Sequence, residues 1–140
     1  MIGDTYQTPA LLMFNFADDD RKARILRYLK QNGMDAIEAS RADQQKTLAC
    51  LFRLPGNYPE IAGFRPFFDG EMLVMKGFDR TQLDDLLSFF KTEGLKRNEL
   101  KAVLTPSNAG WSAAALYAQL ALERDSFLRR AAAGKKPGKA

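Results

Sequence analysis

Hydrophobic residues in this chain form short continuous runs, and between them lie segments with apolar positions every three or four residues. The runs at 11–16 and 72–76 are bounded by Pro, Gly or acidic residues, which is typical of strands buried on both faces. Weaker runs at 36–39 and 101–105 predict two further strands. Pro106 ends the last one because it lacks the backbone donor that a ladder needs.

Segments with helical spacing follow these strands. The helices after the runs at 11–16 and 72–76 end at Gly33 and Gly94, because glycine readily adopts the left-handed conformation that ends a helix. A short helix is predicted over 44–53. A long helix is predicted over 112–130. The apolar positions that mark one face of the first two helices are Ile25, Leu26 and Leu29, and Leu83, Leu86, Leu87 and Phe90. The short helix is expected to bury Leu48, Leu51 and Phe52, and the long helix is expected to carry Leu116, Leu120 and Phe127 inward.

The two halves of the chain resemble each other. A shift of 61 positions superposes Asp18 on Asp79 and Gly33 on Gly94, with Lys30 falling on Lys91. The sequence therefore predicts an α/β fold of duplicated β-α-β-α units. These would form one four-stranded, mostly parallel sheet of order 2-1-3-4 with helices on both faces. A mixed sheet, with the units related by a two-fold axis across it, is the alternative.

The pattern indicates one compact domain made of five segments. A flexible start, 1–10, precedes the first unit at 11–53, and a connector rich in Pro, Gly and Phe spans 54–71. The second unit occupies 72–130. A basic tail, 131–140, has no apolar periodicity and is predicted to be disordered.

Composition excludes some classes of function but does not identify the function. The 140 residues are 46% hydrophobic and 27% charged, as in an ordinary globular domain that folds without disulfides or a metal. The chain has no histidine, which removes the commonest general base and every His-based metal site. The single cysteine, Cys50, is interpreted as a small buried hydrophobe. No cofactor or metal site is predicted, and an enzyme is the less favoured class.

Charge and targeting signals point to a cytoplasmic protein. The net charge is +4, yet residues 129–140 alone contribute five positive charges and no acid, so the body is close to neutral. No apolar run is long enough to span a bilayer, and the start lacks the order of a signal peptide. We expect no membrane association. A tail-mediated contact with nucleic acid would be weak, blind to sequence and sensitive to salt.

The segment 100–112, Leu-Lys-Ala-Val-Leu-Thr-Pro-Ser-Asn-Ala-Gly-Trp-Ser, is the most individual stretch. Together with Leu73 to Phe78 and the Leu-rich helix that follows, it resembles an uncharacterised bacterial family, domain of unknown function number 3783. The resemblance covers about residues 72–123. It implies no activity, because none is assigned to that family. The first half has Ala39 to Asp43 in place of the Thr-Pro-Ser-Asn and Trp elements.

Two groups of polar residues are candidates for ligand binding. In the turn from the last strand to the long helix, Thr105, Ser107, Asn108 and Ser112 offer side-chain and backbone donors to an anion, or else serve only as turn and cap. The acids Asp18, Asp19 and Asp20 follow the first strand and Asp79 follows the third. In a parallel 2-1-3-4 sheet these acids would meet at the switch point, where Mg²⁺ or a phosphate-containing ligand could bind, or they cap helices.

Three function classes remain open from the sequence. The favoured one is a non-catalytic module that binds a protein partner or itself, with Phe64, Phe67 and Phe68 of the connector as the contact surface. The alternative is a sensor or minor enzyme that binds a phosphate-containing ligand or Mg²⁺ at the ends of strands 1, 3 and 4. The third is the weak nucleic-acid contact through the tail.

Overall fold

The computed structural model describes residues 8–56, 65–93 and 100–134, with side chains to residue 131. The order is β-α-β-α in each half. The strands are β1 (Ala10–Phe14), β2 (Asp35–Ala39), β3 (Met72–Lys76) and β4 (Leu100–Val103). The helices are α1 (Asp19–Gln31), α2 (Leu48–Leu51), α3 (Arg80–Thr92) and α4 (Ala113–Gly134), and a 3₁₀ helix at Ala42–Gln45 precedes α2.

The sheet has the predicted strand order, β2-β1-β3-β4, but it is mixed. β1 pairs with β2, and β3 with β4, in parallel, whereas the central pair β1 and β3 runs antiparallel with Leu12 opposite Val74. The sheet therefore has the mixed form that was the alternative. The carboxyl ends of β1 and β2 lie at one end of the sheet, and those of β3 and β4 lie at the other.

The connector explains why the central pair is antiparallel. The side-chain amide of Asn15, just after β1, donates to the carbonyl oxygens of Phe68 and Gly70, both at 2.9 Å. Arg21 pairs with Glu71 beside the same strand end. These contacts hold the end of the connector where β1 finishes. β3 therefore starts next to Phe14 and runs back along β1.

Side chains from the two faces of the sheet form two hydrophobic cores. The strand residues of the first core alternate with those of the second, as the period of two requires. One core joins the sheet to α2, α4 and the connector through Leu12, Phe14, Leu48, Phe52, Phe68, Val74, Ala113 and Leu116. The other joins it to α1 and α3 through Leu11, Met13, Ile25, Leu29, Leu73, Met75, Leu86 and Phe90. Helices therefore cover both faces.

Two predicted boundaries were wrong. The segment predicted as one helix over 44–53 is divided, because Lys46 adopts an extended backbone and Thr47 starts α2 as a separate cap. The long helix continues to Gly134, so residues 131–134 are helical rather than disordered. The Ala run at 131–133 explains this, since alanine has the highest helix propensity. The proposed tail beyond it, 135–140, and the start, 1–7, lie outside the described residues.

The two units also contact each other through reciprocal backbone hydrogen bonds at the starts of α2 and α4. The amide of Leu48 donates to the carbonyl of Trp111 at 2.9 Å, and the amide of Ala113 donates to the carbonyl of Lys46 at 3.0 Å. The capping residues of the two helices, Thr47 and Ser112, thus form an antiparallel bridge. This bridge fixes both helix starts on the same face of the sheet.

Helix α4 is longer than the body that it covers. Ala113 to Leu116 are buried and Leu120 is half-buried, but Phe127 is 62% exposed, so its predicted inward position was wrong. The spacing was right, because Phe127 lies on the same side of the helix as Leu120 and Ala113. The predicted burial of Phe127 was wrong because the sheet ends before the helix does.

Candidate functional site

The turn between β4 and α4 uses its polar groups to hold its own shape. The side-chain oxygen of Asn108 accepts from the Thr105 amide at 2.8 Å, and the Thr105 hydroxyl accepts from the Asn108 amide at 3.1 Å. The Asn108 amide group also donates to the carbonyl of Val103. Ser112 caps α4 by accepting from the amide of Ala115 at 3.1 Å, while Ser107 is exposed on the turn. The contacts favour the turn-and-cap interpretation.

The first unit contains the same turn, which the sequence comparison missed. The amide of Ser40 donates to the carboxylate of Asp43 at 2.9 Å, and the hydroxyl of Ser40 accepts from the Asp43 amide. Thr47 then caps α2 by accepting from the amide of Cys50 at 3.1 Å. The side chain of Cys50 is exposed, so its predicted burial was wrong. A signal was available, because Ser-x-x-Asp stands four positions before its cap, as Thr-x-x-Asn does in the second unit.

The acids predicted to meet at one site lie apart. Because β1 and β3 run antiparallel, Asp18 after β1 and Asp79 after β3 lie at opposite ends of the sheet. Asp18 caps α1, and Asp79 forms a capping box with Gln82 at 2.7 and 2.9 Å. Among the described residues no group of three potential metal ligands occurs. A single pocket at the ends of strands 1, 3 and 4 is therefore not formed.

A cavity of about 350 Å³ lies instead at the carboxyl ends of β1 and β2. Asn15, in a left-handed conformation with φ of 64°, lines it together with Lys22, Glu38 and Asp69. Lys22 pairs with Glu38 at 3.1 Å, and Asp69 pairs with Arg41 at 3.0 Å. The charged residues that line the cavity, Lys22, Glu38 and Asp69, are thus each engaged in an ion pair.

The aromatic residues of the connector do not form one exposed surface. Phe68 is buried, with its ring stacked on Tyr117 at 4.2 Å between centroids. Phe67 is 40% exposed and lies under the guanidinium of Arg41. Phe64 lies outside the described residues. The predicted patch is corrected accordingly, because Phe68 serves the core and only Phe67 of the described pair reaches the surface.

Exposed apolar residues concentrate at the far end of α4. Phe127 and Leu128 are 62% and 55% exposed. They lie between Leu120 and Ala131, on the side of α4 that faces the core in the first turns of the helix. Arg124 lies between them on the same side. We call these five residues, Leu120, Arg124, Phe127, Leu128 and Ala131, the distal face.

The structure moves the pKa values of four described residues: it raises those of Tyr28 and Lys46 and lowers those of Asp43 and Lys76. Burial is the main reason that the pKa of Lys76, at the end of β3, is lowered, and the carboxylate of Asp35 opposes that shift. The pKa of Asp43 is lowered first by the hydrogen bond from the Ser40 amide and then by Lys46, whose Nζ is 3.0 Å away.

The lowered pKa of Asp43 predicts a pH-dependent contribution to stability. A carboxyl group with a depressed pKa in the folded protein stabilises above its unfolded value, about 3.9, and loses that contribution as the pH falls through the folded pKa. Asp43→Asn should therefore lower the urea midpoint slightly at pH 7 and leave it unchanged at about pH 2. Asp84→Asn, at an exposed acid, is the control; an effect of Asp43→Asn that stays constant with pH would contradict the assignment.

No helix among the described residues is long and apolar enough to cross a membrane. The exposed arginines near the end of α4, Arg129 and Arg130, belong to the basic region expected from the sequence. The remaining basic residues of that region, Lys135, Lys136 and Lys139, lie outside the described residues.

Comparison with known proteins gives one match. The model of the family described as "Domain of unknown function (DUF3783)" matches residues 71–127, less than half of the chain, and confirms the resemblance inferred from the second unit. No curated protein and no solved structure matches the chain. The matched segment begins just before β3 and ends at Phe127, so it includes most of the distal face.

Proposed function

We propose that this chain is a non-catalytic interaction module and that it binds its partner through the distal face of α4. The observation that carries the proposal is the exposure of Phe127 and Leu128, on the side of α4 that packs into the core at Leu116 and Leu120. Large apolar side chains aligned on one helix face contribute strongly when a partner removes them from water. The connector phenylalanines are no longer the proposed surface.

The candidate polar residues are engaged in caps and turns, which supports a binding role over a catalytic one. Asp79 and Ser112 cap helices, and Thr105 and Asn108 are bonded to each other within one turn. A catalytic pair needs a nucleophile or acid within reach of a base that is not committed elsewhere. The distal face has the opposite character, with apolar groups whose burial would be favourable.

We further infer that the two units arose by duplication, which makes their differences informative. The turn residues Ser40 and Asp43 have counterparts 65 positions later in Thr105 and Asn108, with the same reciprocal hydrogen bonds. Tyr28 of α1 stacks on Phe89 of α3, its counterpart 61 positions later, at 4.3 Å. The units differ most in their last helices.

That difference supports α4 as the functional element. In the first unit α2 spans only Leu48–Leu51, whereas its counterpart α4 continues to Gly134. An extension that places Leu122, Phe127 and Leu128 outside the core does little for folding. Its retention on only one unit is best explained by a contact with another molecule.

Photo-crosslinking tests the proposal directly. A photoreactive phenylalanine analogue placed at Phe127 should form crosslinked products in cells that normally contain the protein. The same analogue at Leu122, which is 61% exposed on the opposite side of α4, is the matched control and should not. Equal yields at both positions, or no product at Phe127, would rule out the distal face as the binding surface.

A further inference from the structure

The distal face has the spacing of a helix-pairing seam. Leu120, Arg124, Phe127 and Ala131 are separated by four, three and four residues, and Leu128 widens the apolar stripe on one side. This alternation keeps one side of a helix against a neighbouring helix over several turns. From Ala121 to Ala131, where the side chains of α4 are described, no residue belongs to either core. The part of the seam beyond Leu120 is therefore left uncovered by the body.

We infer that the occupant is the distal face of a second copy of this chain, with the two α4 helices antiparallel. This inference rests on the proposed function, because it names the partner of the same face. A two-fold pair of this kind brings the same patch of both copies together, so the patch must complement itself. The following observations show that it does.

The charges beside the seam complement each other only in the antiparallel orientation. Glu123 and Arg130 occupy equivalent positions, seven residues apart, on one flank of the seam. In an antiparallel pair this flank faces the same flank of the other copy. Each Glu123 then meets the other copy's Arg130, forming two ion pairs. In a parallel pair the flank would face Ala121 and Leu128, which carry no charge.

The residues in the seam also match in this orientation. When Arg124 of one copy lies opposite Phe127 of the other, the guanidinium can pack on the aromatic ring as a cation–π contact. The same register places Leu120 opposite Ala131, a large side chain against a small one. It also brings Gly134, at the end of the described part of α4, opposite Tyr117, about one turn before the helix leaves the body at Leu120.

The size of the surface predicts a weak dimer. From residue 120 to residue 131 the seam is about 18 Å long at 1.5 Å per residue. An interface of this length buries less than the roughly 1,200 Å² of a stable complex, so we expect a concentration-dependent equilibrium. Both the monomer and the dimer should be detectable at the protein concentrations that sedimentation experiments use.

Analytical ultracentrifugation of the full chain tests the inference, from about 1 µM to about 500 µM, a range suited to weak interfaces. The unaltered protein should shift from monomer toward dimer. Phe127→Asp should weaken dimerisation at least about 10-fold, because it puts a charge into the seam. Leu122→Asp should leave it unchanged, since Leu122 is equally exposed on the other side. Unchanged thermal melting of both variants would show that folding is intact.

Charge reversal tests the orientation. Glu123→Arg alone and Arg130→Glu alone should each weaken the dimer, because each places like charges opposite one another twice. Mixing the two variants should restore association, since the mixed pair has opposite charges at both positions. Reversals without effect would overturn the antiparallel pairing.

Failure of this inference and failure of the proposed function give different results. A chain that stays monomeric up to about 500 µM overturns the self-association. If the photoreactive group at Phe127 nevertheless crosslinks to a different protein, the distal face remains a binding surface. If neither occurs, both proposals are wrong. A crosslinked product with twice the mass of the chain supports both.

Discussion

Phe14→Ala is expected to lower the free energy of unfolding by about 3–5 kcal/mol, one of the two largest effects of a single substitution in this protein. Phe14 ends β1 and is 1% exposed, with its ring 5.5 Å from that of Phe68. Its removal takes away buried aromatic surface and leaves a cavity between the sheet and the connector. Thermal melting should show a decrease on the order of 10 °C or more.

The control for Phe14→Ala is Phe67→Ala. Phe67 is 40% exposed and is covered on one side by Arg41, so its loss should cost less than about 1 kcal/mol. Both variants remove the same phenyl ring, and only the burial of that ring differs. Similar losses in the two variants would mean that the connector does not pack on Phe14 as described.

Gln44→Leu is expected to destabilise the fold by about 2–4 kcal/mol, although it places an apolar side chain of similar size in a buried position. Gln44 is fully buried, and its amide group forms two hydrogen bonds with the backbone of Phe68. Its Nε2 donates to the Phe68 carbonyl at 3.0 Å, and its Oε1 accepts from the Phe68 amide at 2.8 Å. Leucine leaves the Phe68 amide buried without a partner, and it leaves the Phe68 carbonyl with the Asn15 amide as its remaining side-chain donor.

The neighbouring residue supplies a matched control for Gln44→Leu. Gln45 makes the same pair of contacts with the backbone of Arg65, at 2.7 and 3.4 Å, but this pair is exposed. In Gln45→Leu water can replace the lost hydrogen bonds, so the loss should stay below about 1 kcal/mol. Urea denaturation of both variants measures the difference. Equal losses would show that burial is not what makes the Gln44 contacts important.

Together the two substitutions test how the connector is held. Phe14 and Gln44 come from the first unit, and both act on Phe68, which also stacks on Tyr117 of α4. Phe68 is thus the point where the first unit, the connector and the second unit meet. The function predicted for it from the sequence, an exposed contact with a partner, is incompatible with this position.

Local patterns in the sequence were sufficient to predict the four strands and the positions of the helices, apart from the division of the segment at 44–53 and the end of the long helix. Asp79 with Gln82 specified the start of α3, and the buried runs specified β1 and β3, because caps and continuous apolar runs depend on neighbouring residues. The resemblance of the second unit to its family was also visible from residues alone. Each of these features depends on residues close together in the chain.

The tertiary structure decided what depends on residues far apart. Asn15 fixes the connector at the end of β1 through bonds that span more than fifty positions, and this contact makes the central strands antiparallel. The direction of β3 in turn separates Asp18 from Asp79, which sequence reasoning had brought together. The exposure of Phe127 was also decided by the tertiary structure. Periodicity tells which side of a helix is apolar, but only the extent of the sheet beneath it determines where that side stops being covered.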